Sequence, residues 1–113
     1  LREEGLDVFV DLKLHDIPNT VARTVDVLVR GGVRFLNVHA QGGSAMMAAA
    51  AEAAQQASEA INEEPATVIA VTLLTSLDAQ ALNQSLQVPI SPQAYTQHLA
   101  RLAQDAGLQG VVC

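Results

Sequence analysis

The chain has 113 residues, half of them hydrophobic, and a formal net charge of −6 at pH 7, so one small domain with a core is expected. Lysine and arginine total only six, which argues against nucleic-acid binding or attachment to an anionic membrane. Because no apolar run approaches the ~20 residues of a membrane span, no signal-peptide pattern opens the chain and the single cysteine is Cys113, we expect a soluble cytoplasmic protein.

The predicted elements alternate between strands and helices along the chain. Four β-rich runs bounded by turn signals predict strands at 7–14, 34–40, 67–74 and 110–113. Apolar residues at helical spacing, alanine-rich composition and capping residues predict the helices between them. These run from Pro18 to the Gly31–Gly32 pair, over about 43–62, more weakly over about 78–86, and from Ser91 to Gly107.

The alternation of strand, helix and strand indicates parallel strands joined by crossover helices. A doubly wound open sheet and a (β/α)8 barrel both fit that pattern. A complete barrel needs about 200 residues or more. Four strands therefore predict half a barrel or a small open sheet. Since the apolar run 110–113 ends the chain with nothing to cover it, we expect a piece of a longer polypeptide.

The first predicted strand, VFVDLKLHD at 8–16, places charges inside an apolar segment. Alternate side chains of a strand share a face. One face is predicted to pack on helices and comprises Val8, Val10, Leu12 and Leu14. The other face is predicted to point inward and comprises Phe9, Asp11 and Lys13. Asp11 and Lys13 lie about 6.6 Å apart along the strand, so their side chains can meet. Asp16 follows the strand end, where barrel active sites are built.

Charges inside such a segment are costly unless they are paired. A lysine between two carboxylates stays cationic and becomes a fixed, water-excluded proton donor. A purely structural ion pair would also explain Asp11 and Lys13. The additional carboxylate of Asp16 at the strand end favours a functional site.

Four segments of the sequence resemble orotidine 5′-phosphate decarboxylase. They are DLKLHDIPNTV at 11–21, FLNVHAQGGSAMM at 35–47, VIAVTLLTSL at 68–77 and LAQDAGLQGVVC at 102–113. DLKLHDIPNT is a specific signature, and the weaker segments follow in the family's order. The resemblance implies a (β/α)8 TIM barrel that removes carbon dioxide from orotidine 5′-phosphate to give UMP in pyrimidine biosynthesis, without metal or cofactor.

The resemblance also assigns roles to individual residues. Lys13 matches the lysine that protonates C6 of the pyrimidine, Asp11 matches the carboxylate beside the departing carboxyl group, and Asp16 matches an acid that the partner subunit supplies. Substrate contacts fall on Asp11, Lys13, Asp16, Ile17, Thr20 and Thr75. Because Asp16, Ile17 and Thr20 match positions that reach across the dimer, a homodimer with shared active sites is implied.

Some of the family's functional parts have no counterpart here. Two earlier strands of the family supply another aspartate and lysine, and two later strands supply a phosphate-binding loop with its arginine. Residues 1–113 are therefore expected to be the third to sixth strands of the barrel, a fragment inactive on its own.

Two other functions remain open from the sequence. Magnesium-dependent sugar-phosphate decarboxylases or synthases of the same superfamily share the Asp-x-Lys-x-x-Asp pattern, although the IPNT that follows Asp16 favours the orotidylate enzyme. The second open alternative is that the chain is a non-catalytic half-barrel remnant. The three histidines have no spacing typical of metal ligands, so we expect no zinc, and His39 is expected to be a hydrogen-bonded structural histidine.

Overall fold

A computed structural model describes residues 7–74 and 77–112. Its strands are β1 (Val8–Leu14), β2 (Val33–His39), β3 (Thr67–Val71) and β4 (Gly110–Val112). Its α-helices are α1 (Pro18–Arg30), α2 (Ser44–Ala60) and α3 (Pro92–Asp105). The described strands form one sheet in the order β1-β2-β3-β4, and every neighbouring pair is parallel. The predicted alternation and parallel pairing are confirmed.

The helices begin and end where local chemistry predicts. Pro18 occupies the start of α1, where its missing N–H costs no hydrogen bond, and Gly31 follows the last turn. The Ser91 hydroxyl accepts a hydrogen bond from the Ala94 N–H at 3.1 Å, so α3 has the predicted N-cap. Gly43, at φ +96°, makes the turn into α2 and has a backbone conformation that other residues rarely adopt.

The core lies between the sheet and these helices. Leu36 and Val38 of β2 and Val68 and Ala70 of β3 point to this side, and each is at most 1% exposed. Three valines of α1 and the alanine-rich side of α2 cover them; the buried valines are Val21, Val25 and Val29. Removing a side chain of this kind from water contributes about 1.5–3 kcal/mol. The opposite face of the sheet is left to form the site.

Two predicted elements differ from the sequence expectation. β3 ends at Val71 rather than at residue 74, although the Thr72 N–H and hydroxyl still bind the Val112 carbonyl oxygen. The predicted helix at 78–86 contains a π-helical turn, Ala81–Ser85, and only Leu82 is buried in it. The Asn83 amide donates to the carbonyl oxygens of Val88 and Ile90, which folds the chain back instead of continuing a helix.

The predicted alternation of β1 is wrong near its end. The register with β2 shifts between Val8 and Phe9 and again between Val10 and Leu14, and Lys13 has a left-handed φ of +50°. An irregularity of this kind interrupts the two-residue repeat of side-chain direction. Leu12 is consequently 53% exposed instead of packed on the helices, whereas Leu14 does contact the core.

Candidate active site

The candidate site is built around an ion pair on β1. The Lys13 ammonium donates to both carboxylate oxygens of Asp11, with Nζ–Oδ1 and Nζ–Oδ2 distances of 2.8 and 3.0 Å. The predicted contact between these two side chains is therefore present. The predicted exclusion of water is not found in the described residues, because the side chains of Lys13 and Asp11 are 41% and 57% exposed. β1 lies at the edge of the described sheet, which leaves the pair open to solvent.

A buried asparagine of β2 connects both members of the pair. The side-chain nitrogen of Asn37, Nδ2, donates to Asp11 Oδ1 at 2.7 Å. The side-chain oxygen of Asn37, Oδ1, accepts from the backbone N–H of Lys13 at 2.8 Å. Asn37 is 4% exposed. Sequence reasoning did not select it as a site residue. The available signal was a polar side chain within the apolar strand RFLNVHA, on the same face as Phe35 and His39.

The hydrogen bonds of Asp11 set its charge. The Lys13 ammonium and then the Asn37 amide hold the pKa of the Asp11 carboxyl below its usual value, and they outweigh the opposing effect of desolvation. Hydrogen bonds to the ionised form of a carboxyl favour that form. The site therefore presents a carboxylate and an ammonium side by side near neutral pH.

A cavity of about 240 Å³ lies directly over this pair. Asp11, Lys13 and Asn37 form its polar part; its other walls are Phe9, Val71, Leu73, Leu74 and Val112. Phe9 also stacks on Phe35, with ring centroids 6.4 Å apart. The cavity thus combines apolar walls with a few polar groups, which is the composition typical of a small-molecule site.

The other predicted site residues lie at the start of α1 or outside the described residues. Asp16 accepts a hydrogen bond from the Ile17 N–H at 2.7 Å and, within the described residues, makes no ion pair with Lys13. Ile17 is 65% exposed, and Thr20 is also exposed. Thr75 lies outside the described residues. The structure therefore brings Asp11 and Lys13 together and leaves Asp16, Ile17 and Thr20 on a surface.

Two histidines at the carboxyl ends of β1 and β2 lie close to each other. The rings of His15 and His39 are 5.4 Å apart between centroids. The expectation of a hydrogen-bonded His39 is wrong for Nδ1, which is buried without a hydrogen-bond partner among the described residues. Burial, and then the positive charges of His15 and Lys13, lower the pKa of His39. The neutral imidazole is thus favoured at this position.

Residues 7–74 and 77–112 offer neither a cluster of metal-ligating side chains nor a membrane-spanning helix. No three His, Cys, Asp or Glu side chains there are grouped so that they could hold a metal ion. None of the helices there is long and apolar enough to cross a membrane.

Comparison with known proteins places the chain in one family. The model of the Orotidine 5′-phosphate decarboxylase / HUMPS family matches residues 1–113. Orotidine 5′-phosphate decarboxylase of Moorella thermoacetica is 49% identical over 112 residues, and the enzyme of that name from Salmonella typhimurium is 49% identical over 113 residues. These alignments cover 99% and 100% of this chain and 44% of each relative. The chain therefore spans less than half the length of these curated relatives.

The fold agrees with that match. The crystal structure of orotidine 5′-phosphate decarboxylase from Lactobacillus acidophilus superposes with a TM-score of 0.92 at 34% identity, over 99% of this chain and 50% of that one. The predicted fold class is confirmed: four parallel strands with crossover helices, corresponding to about half of a TIM-barrel protein. Since the match covers every residue and the structure agrees with it, the chain belongs to the orotidine 5′-phosphate decarboxylase / HUMPS family, as the DLKLHDIPNT signature predicted.

Proposed function

We propose that the full-length protein containing this chain is a carboxy-lyase that converts orotidine 5′-phosphate to UMP in de novo pyrimidine biosynthesis, in the cytoplasm and without metal or cofactor. The observation that carries the proposal is the Asp11–Lys13 ion pair, with its 2.8 Å contact at the mouth of an apolar cavity. Relatives that are 49% identical carry the name of this enzyme. The pair lies toward the carboxyl end of a parallel strand, where barrel enzymes place their catalytic groups.

In this proposal Lys13 supplies both charge and proton. The bond between C6 of the pyrimidine and the carboxyl carbon breaks, carbon dioxide leaves, and the electron pair remains on C6. The Lys13 ammonium stabilises the developing carbanion and then donates its proton to C6. Lys13 regains a proton from solvent before the next turnover.

Asp11 would act on the ground state. Its carboxylate would lie next to the substrate carboxylate, and two adjacent anions repel each other. That repulsion is relieved as negative charge moves from the carboxylate to C6, which lowers the barrier for carbon dioxide loss. The hydrogen bonds from Lys13 and Asn37 support this role because they favour the ionised form of Asp11.

Residues 1–113 would then be the third to sixth strands of the barrel. The described four strands and the 44% share of the curated relatives fit about half of such a barrel. The remaining strands would supply a second aspartate and lysine and the phosphate-binding loop. We accordingly expect the 113-residue chain to be inactive on its own.

The first test is release of carbon dioxide from orotidine 5′-phosphate by the full-length protein, with and without a chelator. Equal release in both conditions is the expected result. No release from a folded protein would rule out the proposal. The matched family also includes HUMPS, and sugar-phosphate enzymes of the same superfamily remained open from the sequence. Turnover of a sugar phosphate that a chelator abolishes would therefore assign the site to the magnesium-dependent branch.

We further propose that the full-length protein is a homodimer with two shared sites. Asp16, Ile17 and Thr20 would complete the partner's site, and Thr75 would contact the nucleotide. The exposure of the first three at the start of α1 supports this, as does the absence of an Asp16–Lys13 ion pair within the described residues.

Complementation between subunits tests the shared site. Inactive Asp16→Ala and inactive Lys13→Ala full-length proteins are mixed, and one is mass-tagged to verify exchange. A mixed dimer has one site with both changes and one site with neither. Because random exchange gives about half mixed dimers, activity should recover to about a quarter of that of the unmodified protein. Verified mixed dimers without recovery would show that Asp16 acts within its own subunit or not at all.

A further inference from the structure

Asn37 holds the ion pair through two different groups of one side chain. Its amide nitrogen donates to Asp11 Oδ1 at 2.7 Å, the same oxygen that the Lys13 ammonium contacts at 2.8 Å. Its carbonyl oxygen accepts from the Lys13 backbone N–H at 2.8 Å. A single planar amide on β2 therefore fixes the carboxylate of one residue and the backbone of the other.

The irregularity of β1 explains why the backbone N–H of Lys13 is bound by a side chain of β2. Between Val10 and Leu14 the register with β2 shifts, and Lys13 adopts a φ of +50°. A backbone N–H at such a point loses its regular carbonyl partner on the neighbouring strand, and an unsatisfied polar group is costly. The Asn37 carbonyl oxygen takes the place of that partner. It thereby stabilises a left-handed backbone conformation that is unfavourable for a lysine.

Asparagine suits both contacts better than residues of similar size. Aspartate could accept from the Lys13 N–H but could not donate to Asp11, and it would add a second negative charge. Leucine has a similar size and would fill the buried position, but it offers neither bond. Packing alone would therefore favour an apolar residue at a position that is 4% exposed.

We propose that Asn37 is a positioning residue for the decarboxylation, which holds Asp11 and the backbone of Lys13 in one fixed geometry over the cavity. The inference rests on the proposed function and adds to the site a residue that acts by positioning its neighbours. Its effect is exerted through Asp11 and Lys13. Loss of Asn37 should consequently lower kcat more than it changes KM.

The test compares two substitutions in the full-length protein, Asn37→Leu and Asn37→Asp. Each removes the bond to Asp11, and loss of one charge-assisted hydrogen bond corresponds to about tenfold or more in kcat. Asn83→Asp is the matched control. Asn83 also donates two hydrogen bonds, to Val88 and Ile90, but it is exposed and lies outside the cavity lining.

The expected results separate positioning from packing. Both Asn37 variants should stay folded and lose kcat with little change in KM, while Asn83→Asp keeps the kcat of the unmodified protein. The acid limb of the pH–rate profile should move to higher pH in both Asn37 variants. The shift should be larger for Asn37→Asp, because this variant adds a negative charge. An Asn37→Leu protein with kcat within about threefold of the unmodified protein would overturn the inference, since packing would then be sufficient.

A second measurement does not depend on turnover. The Asp11 carboxyl is titrated by ¹³C NMR in the unmodified full-length protein and in Asn37→Leu. Loss of the Asn37 amide should raise the pKa of Asp11 toward its ordinary value. An unchanged titration overturns the inference. If the unmodified protein fails to release carbon dioxide, the proposed function fails, and this titration still decides whether Asn37 controls Asp11.

Discussion

β1 differs from the pair β2–β3 in both regularity and exposure. β2 and β3 stay in register over five consecutive partners, from Phe35 with Thr67 to His39 with Val71. Within these five partners, every second residue is a buried aliphatic side chain of the core. β1 shifts register twice and carries an exposed ion pair. The regular strands therefore provide packing, and the irregular strand provides the charged groups of the site.

Within this one sheet, β2 and β3 contribute mainly to stability, and β1 carries the charged groups proposed for the chemistry. Regular pairing satisfies backbone groups and buries alternate side chains, so a change there alters the free energy of unfolding. At the irregular position, one residue adopts a left-handed conformation, and a side chain of the next strand must satisfy its N–H. A change there should alter turnover with less effect on folding. Four experiments on the full-length protein test this separation.

The largest effect is expected from Lys13→Ala. Removal of the proton donor should lower kcat by about 10²–10⁴-fold while the protein stays folded. Arg30→Ala is the matched control, because Arg30 forms an exposed ion pair with Asp26 at the same 2.8 Å distance. Steady-state kinetics and thermal unfolding of both variants are measured. If kcat of Lys13→Ala stays within a few-fold of the unmodified protein, the ion pair of β1 is structural.

Leu36→Ala on β2 should have the next largest effect, on stability. Leu36 is 1% exposed in the core, and truncation of such a leucine costs about 2–5 kcal/mol. Leu12→Ala on β1 is the matched control, because Leu12 is 53% exposed and its truncation should cost about 0.5 kcal/mol or less. Urea unfolding measures both. Equal losses in the free energy of unfolding for Leu36→Ala and Leu12→Ala would contradict the contrast between β2 and β1.

His39→Gln should change the pH dependence of stability. Burial and the nearby charges of His15 and Lys13 lower the pKa of His39 in the folded protein. Below the ordinary value of 6.5 the unfolded chain therefore binds more protons, so stability falls as pH drops toward the lower folded value. Between about pH 7.5 and about pH 5, the unmodified protein should lose more stability in urea unfolding than His39→Gln. His98→Gln, an exposed histidine of α3, should behave like the unmodified protein.

Asp11→Asn should have the smallest effect on stability, because Asp11 is largely exposed. The Lys13 and Asn37 hydrogen bonds lower the pKa of Asp11 below its ordinary value of 3.8. Its contribution to stability is therefore complete above that value and is lost as pH falls through the lower folded value. The unmodified protein should have a slightly higher Tm than Asp11→Asn at about pH 7, and the difference should shrink as pH falls below 3.8. A difference that persists at low pH would mean that the carboxylate charge is not its source.

Much of the fold could be predicted because its signals are local. Pro18, Ser91 and Gly107 mark helix boundaries through their own backbone chemistry, and the strands are short apolar runs between them. The prediction was less accurate where a specific side-chain contact shapes the backbone. The irregular segment after Asp78 depends on the Asn83 amide reaching the carbonyl oxygens of Val88 and Ile90, which no periodicity reveals.

The sequence by itself determined the family, the parallel alternation and the Asp11–Lys13 contact. Two residues separated by one position in an extended segment are close enough for their long side chains to meet. The tertiary structure alone decided the exposure of Leu12 and the bridging role of Asn37. Asn37 is 26 residues from Asp11 and 24 from Lys13 along the chain, so its contacts depend on the register between β1 and β2. That register is set by packing and backbone hydrogen bonds of the whole sheet, which short-range spacing does not encode.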